Sequence, residues 1–208
     1  RAHDAAFVPV SLVPRRDGST GRFPHLVDRG KPGFIAVDGE GRRFTNEADC
    51  YHDFMNNLFA RTPAGQQPYA WMICDRKAQR RFGLGWAKPF PFPLWYYQRR
   101  GYLVRGCDAR ELAERCGLDP QQLQATVERF NQHARVGHDP DFGRGQSAYN
   151  RALGDPSNGP NPSLRPLKGP LCAVRLVPGS LGTFAGLKTD AQARVLDATG
   201  EVIPGLHA

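Results

Sequence analysis

Short, mainly apolar runs predict buried β-strands in this chain, because a strand that is covered on both faces shows no regular polar alternation. Residues 5–13 are also extended. Pro9 and Pro14 cannot donate to a strand ladder, which predicts an edge position or a place outside the sheet for this segment. Asp38-Gly39 is a turn dipeptide typical of hairpins. The apolar runs lie at residues 34–37, 69–74, 102–105 and 171–177.

Apolar side chains that recur every three or four residues predict helices. In the first helix Tyr51, Met55 and Leu58 share one face, and Asn46 and Asp49 are candidate N-caps. The change between strand-like and helix-like periods predicts an α+β fold in which a small mixed sheet is packed by helices. The predicted helices lie at residues 49–60, 76–82, 109–116 and 120–136, and Asp75, Asp108 and Asp119 are candidate N-caps of the last three.

Two segments lack either period. Residues 86–97 hold six aromatic side chains and three prolines, and the prolines argue against a helix and against a central strand. This segment is either an apolar wall or lid over a pocket, or packing between two elements. Residues 138–169 are rich in Gly, Pro, Asn and Ser, which indicates a functional loop or a crossover between domains.

Composition narrows the functional classes. Lys and Arg number 28 against 20 Asp and Glu, a net charge of +8, but the arginine pairs are scattered and no DNA- or RNA-binding motif accompanies them. We therefore expect a solvated face and some attraction for phosphates, and no nucleic acid partner. Five cysteines without a C-x-x-C predict reduced thiols in a cytoplasmic protein, and the six histidines show no metal-binding spacing. No apolar run is long enough to predict a transmembrane segment.

Two motifs resemble a known family. Lys31-Pro-Gly-Phe-Ile-Ala-Val37, followed by Gly41-Arg-Arg-Phe-Thr-Asn-Glu47 and then Tyr51, resembles the substrate domain of FAD-dependent flavoproteins that include the fumarate reductases and the 3-ketosteroid dehydrogenases. The segments at residues 177–183, 186–190 and 203–208 are similar to the same family in the same order. The chain begins at Arg1 without a methionine, and we expect it to be an excised piece of a longer protein.

The resemblance implies a domain organisation and a cofactor. Residues 1–169 would be the substrate (capping) domain, and residues 170–208 would be the terminal strands of the FAD-binding domain. The cofactor would be FAD. Because no G-x-G-x-x-G is present, we expect the chain alone to retain FAD weakly or not at all and to depend on the missing part of the FAD-binding domain as its partner.

The residues at the motif positions favour the ketosteroid branch. In the family, fumarate reductases carry an arginine where this chain has Tyr51, and a histidine where it has Leu181 and Gly182. The resemblance implies that Tyr51 is the catalytic base, removing a proton beside a ketone while a hydride passes to FAD. It also implies a hydrophobic ketone substrate of the steroid type. By the same resemblance the substrate-binding residues are Ser180, Leu181, Gly182 and Thr183, and the cofactor-binding residues are Gly186 and Leu187.

Other interpretations remain open from the sequence. Tyr51 alone, judged by its spacing, is also compatible with a core tyrosine at a hairpin–helix junction. The whole chain is compatible with a fumarate- or succinate-type reductase domain, or with a basic binding module that carries no chemistry. Two positions depart from the family pattern, since Ala185 stands where a glycine is common and His207 where a tyrosine is common.

Overall fold

A six-stranded sheet organises most of the chain. The computed structural model describes residues 5–183 and 186–208, so Ala185 lies outside the described residues. The strands are β1 (Ala5–Pro14), β2 (Thr20–Pro24), β3 (Phe34–Val37), β4 (Ala70–Asp75), β5 (Val104–Gly106), β6 (Leu171–Thr183), β7 (Arg194–Leu196) and β8 (Val202–His207). The helices are α1 (Tyr51–Arg61), α2 (Arg76–Phe82), α3 (Leu94–Arg99), α4 (Ala109–Cys116), α5 (Pro120–Ala134) and α6 (Ala148–Leu153).

The strand order places β6 at the centre of the sheet. The order is β2-β1-β6-β4-β3, and β5 also pairs with β6. The pairs β1–β2, β3–β4, β4–β6 and β5–β6 are antiparallel. In the β3–β4 pair Phe34 stands opposite Cys74, and Cys74 in turn stands opposite Cys172 of β6. All five cysteines have free thiols.

Helices cover both faces of this sheet. Because side chains alternate along a strand, Phe34 and Met72 pack on one face with α1, while Ile35 and Ile73 pack on the other with α4 and α5. The run at residues 34–37 is therefore fully buried, and most side chains of the runs at 69–74 and 171–177 are buried as well. The predicted combination of a sheet with packed helices is confirmed.

The described residues divide into two compact units. Phe7–Gly179 forms the larger unit, and Ser180–Ala208 belongs to the second. In the second unit β7 and β8 form an antiparallel hairpin in which Leu196 stands opposite Val202. The predicted domain boundary between residues 169 and 170 stays a prediction. No helix within the described ranges is both long and apolar enough to cross a membrane.

The caps of the later helices are confirmed, but those of the first are wrong. Asp75, Asp108 and Asp119 each accept a backbone N–H in the first turn of α2, α4 and α5, as predicted. The N-cap of α1 is Cys50, whose side chain makes no capping hydrogen bond. Asn46 and Asp49 are not caps, because their side chains bind elsewhere.

The edge position predicted for residues 5–13 is wrong. β1 lies between β2 and β6, and β2 takes the edge. The β1–β2 register runs from Val10 to Pro14, so Pro9 stands outside it and its missing N–H costs no bond of that pair. The carbonyl of Pro9 accepts the N–H of His25 at 2.9 Å.

The prolines of residues 86–97 also act differently from the prediction. They do not exclude a helix, because α3 begins at Leu94 with Pro93 as its N-cap. A proline in front of the first helical turn removes no helical hydrogen bond. Likewise, residues 138–169 contain the short helix α6, which begins after the capping side chain of Ser147.

Candidate functional site

Tyr51 occupies the first position of α1. The buried face of this helix is formed by Phe54, Met55 and Leu58, whereas Tyr51 is half-buried. Its hydroxyl makes no hydrogen bond to the residues that the structure describes, so it is not a satisfied core phenol. Tyr51 therefore belongs to the first turn of a helix, the end of the helix dipole at which negative charge is favoured.

The loop before Tyr51 is held by a buried carboxylate. Glu47 is fully buried and accepts two hydrogen bonds from Arg43, each at 2.8 Å, and one from Arg144 at 3.1 Å. Its Oε1 also accepts the backbone N–H of Ala36 at 3.1 Å. Burial raises the pKa of Glu47, but the charges of Arg43 and Arg144 outweigh that effect and hold the pKa below its ordinary value. Glu47 is thus an ionised anchor.

A second carboxylate balances the charges of this network. Asp139 accepts two hydrogen bonds from Arg43, at 3.0 and 2.9 Å. Two arginines and two carboxylates are therefore neutral together, which is the condition for burying four charges. Burial raises the pKa of Asp139, but Arg43 and Arg144 lower it by more, so the net pKa is below its ordinary value.

The two innermost arginines also hold backbone carbonyls. Arg144 is fully buried and donates to the carbonyls of Phe34 at 2.7 Å and Lys31 at 2.9 Å. Arg29, 1% exposed, donates to the carbonyl of Glu47 at 2.6 Å and to that of Asp49 at 3.2 Å. These bonds join residues 29–36, the loop before α1 and the segment around Arg144 into one rigid support.

Asn150 on α6 completes this support. Its side-chain oxygen accepts from Asn46 at 2.9 Å, and its amide donates to Asp49 at 2.8 Å. This explains why neither Asn46 nor Asp49 caps α1. The sequence motif contains Arg43 and Glu47 but gives no sign of this network. Periodicity also carries no signal for the bonds that Arg29, Asp139, Arg144 and Asn150 make to segments distant along the chain.

A separate hydrogen-bonded chain runs through the interior near β1. Oδ2 of Asp28 lies 2.7 Å from Nδ1 of His25, and Nε2 of His25 lies 2.7 Å from Oγ of Ser11. Ser11 Oγ is 2.6 Å from the hydroxyl of Tyr102, which accepts the N–H of Trp86 at 2.7 Å. We call Asp28, His25, Ser11 and Tyr102 the relay. No motif in the sequence marks any of its members.

Burial acts differently on the two ends of the relay. It raises the pKa of Tyr102 to about 12, so this phenol keeps its proton. Burial also raises the pKa of Asp28, but His25 and Arg29 lower it by more. The net pKa of Asp28 is therefore below its ordinary value, and the carboxyl is ionised. Within the described part of the chain, Oδ1 of Asp28 is buried and accepts no hydrogen bond from the protein.

Ser11 and Tyr102 reach the wall of a groove of about 680 Å³. The wall is lined by apolar side chains and by two arginines, so it combines an apolar surface with positive charge. Arg175 lies flat on the ring of Tyr69, 4.3 Å from its centroid. The groove is lined by Ser11, Leu12, Arg22, Gln67, Pro68, Gly101, Tyr102, Arg175, Val177 and Pro178.

The aromatic segment is partly core and partly surface. Trp86 packs edge-on against Tyr97 and Tyr102, with ring centroids 5.1 and 5.4 Å away. Phe90 and Trp95, by contrast, are 62% and 58% exposed. Packing between elements therefore accounts for part of the segment, and a wall or lid over a pocket stays a prediction for the rest.

The predicted substrate and cofactor residues lie in the second unit. Ser180, Leu181 and Gly182 are exposed, as are Gly186 and Leu187. Ser180 Oγ donates to the carbonyl of Gly182 at 3.4 Å. For Thr183 the structure gives the strand position only. Tyr51 belongs to the larger unit, so the assignment of all these residues to one site stays a prediction.

The described residues do not fit the pyrophosphate of FAD by themselves. That group normally binds at a helix N-terminus after a glycine-rich turn. In the part of the chain that the structure describes, two strands lead directly into helices, β4 into α2 and β5 into α4. Their N-termini are occupied by the carboxylates of Asp75 and Asp108, which would repel a phosphate.

The comparisons with known proteins agree with one another. A family model described as FAD binding domain matches residues 1–208. The 4-oxocyclohex-2-ene-1-carboxylate 5-dehydrogenase of Sinomonas cyclohexanicum is 46% identical over 98% of this chain and 35% of its own length. The 3-oxosteroid 1-dehydrogenase of Mycolicibacterium smegmatis is 40% identical over 88% of this chain and 33% of its own.

A solved structure is similar over the same region. It is the 3-ketosteroid Δ1-dehydrogenase of Sterolibacterium denitrificans in complex with 1,4-androstadiene-3,17-dione. The TM-score is 0.87 at 35% identity, and the match covers 98% of this chain and 36% of that one. The chain thus spans about a third of the length of these relatives.

Proposed function

Since the chain belongs to the FAD binding domain family along residues 1–208, we propose that it forms the substrate-binding part of an FAD-dependent dehydrogenase that desaturates a cyclic ketone beside its carbonyl. The position of Tyr51 carries this proposal. A half-buried phenol without a hydrogen bond to the described residues stands at the start of a helix, on a loop fixed by buried ion pairs. Such a rigid support is what a positioned acid–base group requires.

Tyr51 is the base of the proposed reaction. A hydrogen on the carbon beside a ketone is acidic enough to be removed when the resulting enolate is stabilised, and a phenolate at a helix N-terminus is a suitable acceptor. FAD, when bound, supplies the acceptor for the hydride. The roles of Ser180, Leu181, Gly182 and Thr183 in holding the substrate, and of Gly186 and Leu187 beside FAD, belong to the same proposal.

The substrate is a six-membered ring ketone. The names of the relatives support this class, since one acts on an oxocyclohexene carboxylate and another on a 3-oxosteroid. A ketosteroid-like substrate is the first candidate, because the two sequence motifs resemble those of the 3-ketosteroid dehydrogenases. A cyclohexanone that bears a carboxylate is the second candidate, favoured by the higher identity of that relative and by the two arginines of the groove.

The dicarboxylate chemistry of fumarate reductases is the less favoured alternative. It would need an arginine at the place of Tyr51, and the buried arginines that support the loop before Tyr51 are already engaged. Arg43 and Arg144 bind carboxylates, and Arg29 binds backbone carbonyls. None of these three is free to bind a substrate carboxylate.

A substrate comparison tests the proposal. The complete enzyme, meaning a protein of the relatives' length that contains this chain, is supplied with an artificial electron acceptor and with 4-androstene-3,17-dione, 4-oxocyclohexanecarboxylate or fumarate. We expect acceptor reduction with at least one of the ketones and a product with a new C=C bond conjugated to the carbonyl. Turnover of neither ketone would contradict the proposal, and reduction of fumarate by the reduced enzyme would favour the reductase instead.

A further inference from the structure

The positive charge of the chain is concentrated in one segment. Residues 76–107 contain eight of the 28 Lys and Arg and none of the 20 Asp and Glu. The rest of the chain therefore balances 20 basic against 20 acidic residues, and this segment accounts for the whole net charge of +8. Of its eight cations, Arg81 alone forms an ion pair with a carboxylate of the described residues, that of Asp155 at 2.7 Å.

Three large aromatic side chains are exposed in the same segment. Phe90, Phe92 and Trp95 are 62%, 48% and 58% exposed, and all three line one groove. A cation lies over each ring, between 4.2 and 5.9 Å from the ring centroid. We call these three pairs the basic aromatic surface: Arg80 with Phe90, Lys88 with Phe92, and Arg99 with Trp95.

The exposed rings belong to a segment that is tied to the core. The side-chain amide of Gln79, which is 1% exposed, donates to the carbonyl of Lys88 at 2.9 Å. The N–H of Phe90 donates to the carbonyl of Arg80 at 3.0 Å. The exposure of the rings is therefore built into the fold. A contiguous apolar patch of this kind on a protein surface marks an interaction site.

A groove of about 320 Å³ lies between α2 and the exposed rings. Arg76, Arg80 and Arg105 line it together with Phe90 and Trp95. Within the ranges that the structure describes, none of these three arginines has a carboxylate partner. Guanidinium groups bind phosphate oxygens with two parallel hydrogen bonds, so the groove combines phosphate-binding groups with apolar rings.

We propose that the basic aromatic surface docks the protein on an anionic phospholipid bilayer. Phe90, Phe92 and Trp95 enter the boundary between headgroups and acyl chains, and the arginines of the groove hold lipid phosphates. Aromatic rings beside Lys and Arg are the composition with which proteins lie at a membrane interface, because the rings leave water while the cations are attracted to anionic headgroups.

Charge complementarity identifies the occupant. Asp75, which directly precedes the segment, is bound by Arg165 at 2.7 Å, and Asp155 is bound by Arg81, so both neighbouring carboxylates are compensated. A single-stranded nucleic acid is the other polyanion to consider, and its bases would have to stack on ring faces. Each exposed ring already has a cation over one face, whereas entry into a lipid boundary requires no open face.

Vesicle sedimentation of the complete enzyme tests the proposal. One set of vesicles contains phosphatidylglycerol and phosphatidylcholine in equal parts, and the other contains phosphatidylcholine alone. We expect binding to the anionic vesicles that weakens with added salt, and little binding to the neutral ones. Brominated lipids quench tryptophan inside the boundary. They should quench a part of the fluorescence that is missing in Trp95→Phe, a variant that keeps a ring and should still bind.

Two double variants assign the binding to this surface. Phe90→Ala combined with Trp95→Ala removes two of the exposed rings and should weaken binding to the anionic vesicles by about tenfold or more. Arg80→Gln combined with Arg99→Gln removes two cations and should weaken the same binding by about thirtyfold.

Matched controls exist elsewhere on the surface of the chain. Tyr149→Ala removes an aromatic side chain that is 51% exposed. Arg42→Gln combined with Arg129→Gln removes two cations whose side chains are 55% and 60% exposed. Because these residues lie outside the basic aromatic surface, each control should change vesicle binding by no more than about twofold.

Several results would overturn the proposal. They are no binding to the anionic vesicles, equal binding to both kinds of vesicle, binding without quenching of Trp95, or equal losses in the variants and their controls. Tighter retention on a single-stranded oligonucleotide than on the vesicles would assign the surface to nucleic acid instead. None of these measurements involves turnover, so failure of the proposed function appears separately, as a complete enzyme that dehydrogenates no cyclic ketone.

Discussion

Single residues decide how the candidate base is held. Asn46, Glu47 and Asp49 precede Tyr51 in a motif that the sequence presents as local, but each binds a partner from the segment around residues 139–150. The motif and Tyr51 could be recognised from the sequence. Their partners could not, because a buried ion pair depends on how distant segments meet and leaves no pattern along the chain.

Removal of the charge of Glu47 should be costly. In Glu47→Gln, Arg43 and Arg144 remain buried with one carboxylate fewer, and we expect a loss of about 3–5 kcal/mol in the free energy of unfolding. Urea denaturation at neutral pH measures this loss. Glu40, whose side chain is 72% exposed and pairs with Arg42, provides the control. Glu40→Gln should change the free energy of unfolding by no more than about 0.5 kcal/mol.

The same substitution predicts a pH dependence. The folded pKa of Glu47 lies below its ordinary value, so its contribution is present above about pH 4.5 and is lost as the pH falls through the lower folded value. Unchanged protein should therefore lose stability on acidification more steeply than Glu47→Gln. If the free energy of unfolding falls equally steeply with acidification in both proteins, Glu47 is not the ionised anchor described above.

At the level of elements, long periodic segments were predictable, whereas the structural effects of Pro9 and Pro93 were not. The boundaries of α2 and α4 match the predictions, and α5 ends two residues early. The sequence predicts no helix around Pro93, although Pro93 precedes one. It predicts an edge position or a place outside the sheet because of Pro9, although Pro9 lies outside the β1–β2 register. In both cases the effect of proline depends on whether a backbone N–H at that position would donate a hydrogen bond to the helix or the sheet, and only the structure shows this.

The contact between β5 and α4 depends on a glycine. A Cβ at Gly106 would overlap the backbone nitrogen of Leu112 and approach its Cα to 2.7 Å, and backbone cannot move aside as a side chain can. We expect Gly106→Ala to lower the free energy of unfolding by about 1–3 kcal/mol. Gly21→Ala is the control, since its Cβ would meet only the flexible side chain of Arg15. Equal melting temperatures for the two variants would contradict this packing.

At the level of the whole molecule, the chain matches the FAD binding domain family along residues 1–208 but its sequence carries no G-x-G-x-x-G turn. The second unit carries the predicted residues Gly186 and Leu187, both exposed. We expect the purified chain to be colourless and to lose added FAD on gel filtration, because no glycine-rich helix N-terminus within residues 5–183 and 186–208 is available to hold the phosphates. A flavin spectrum that remains with the protein after filtration would show this expectation to be wrong.

The central claim is that Tyr51 is the base of a ketone dehydrogenase, and kinetics of Tyr51→Phe in the complete enzyme test it most directly. The ring stays and the hydroxyl makes no hydrogen bond to the described residues, so the melting temperature should hardly change. We expect kcat to fall by about 10²–10⁴ with KM little changed. Tyr69→Phe, another half-buried tyrosine, should keep normal turnover. Near-normal turnover of Tyr51→Phe on a substrate that the unchanged enzyme dehydrogenates would contradict the account.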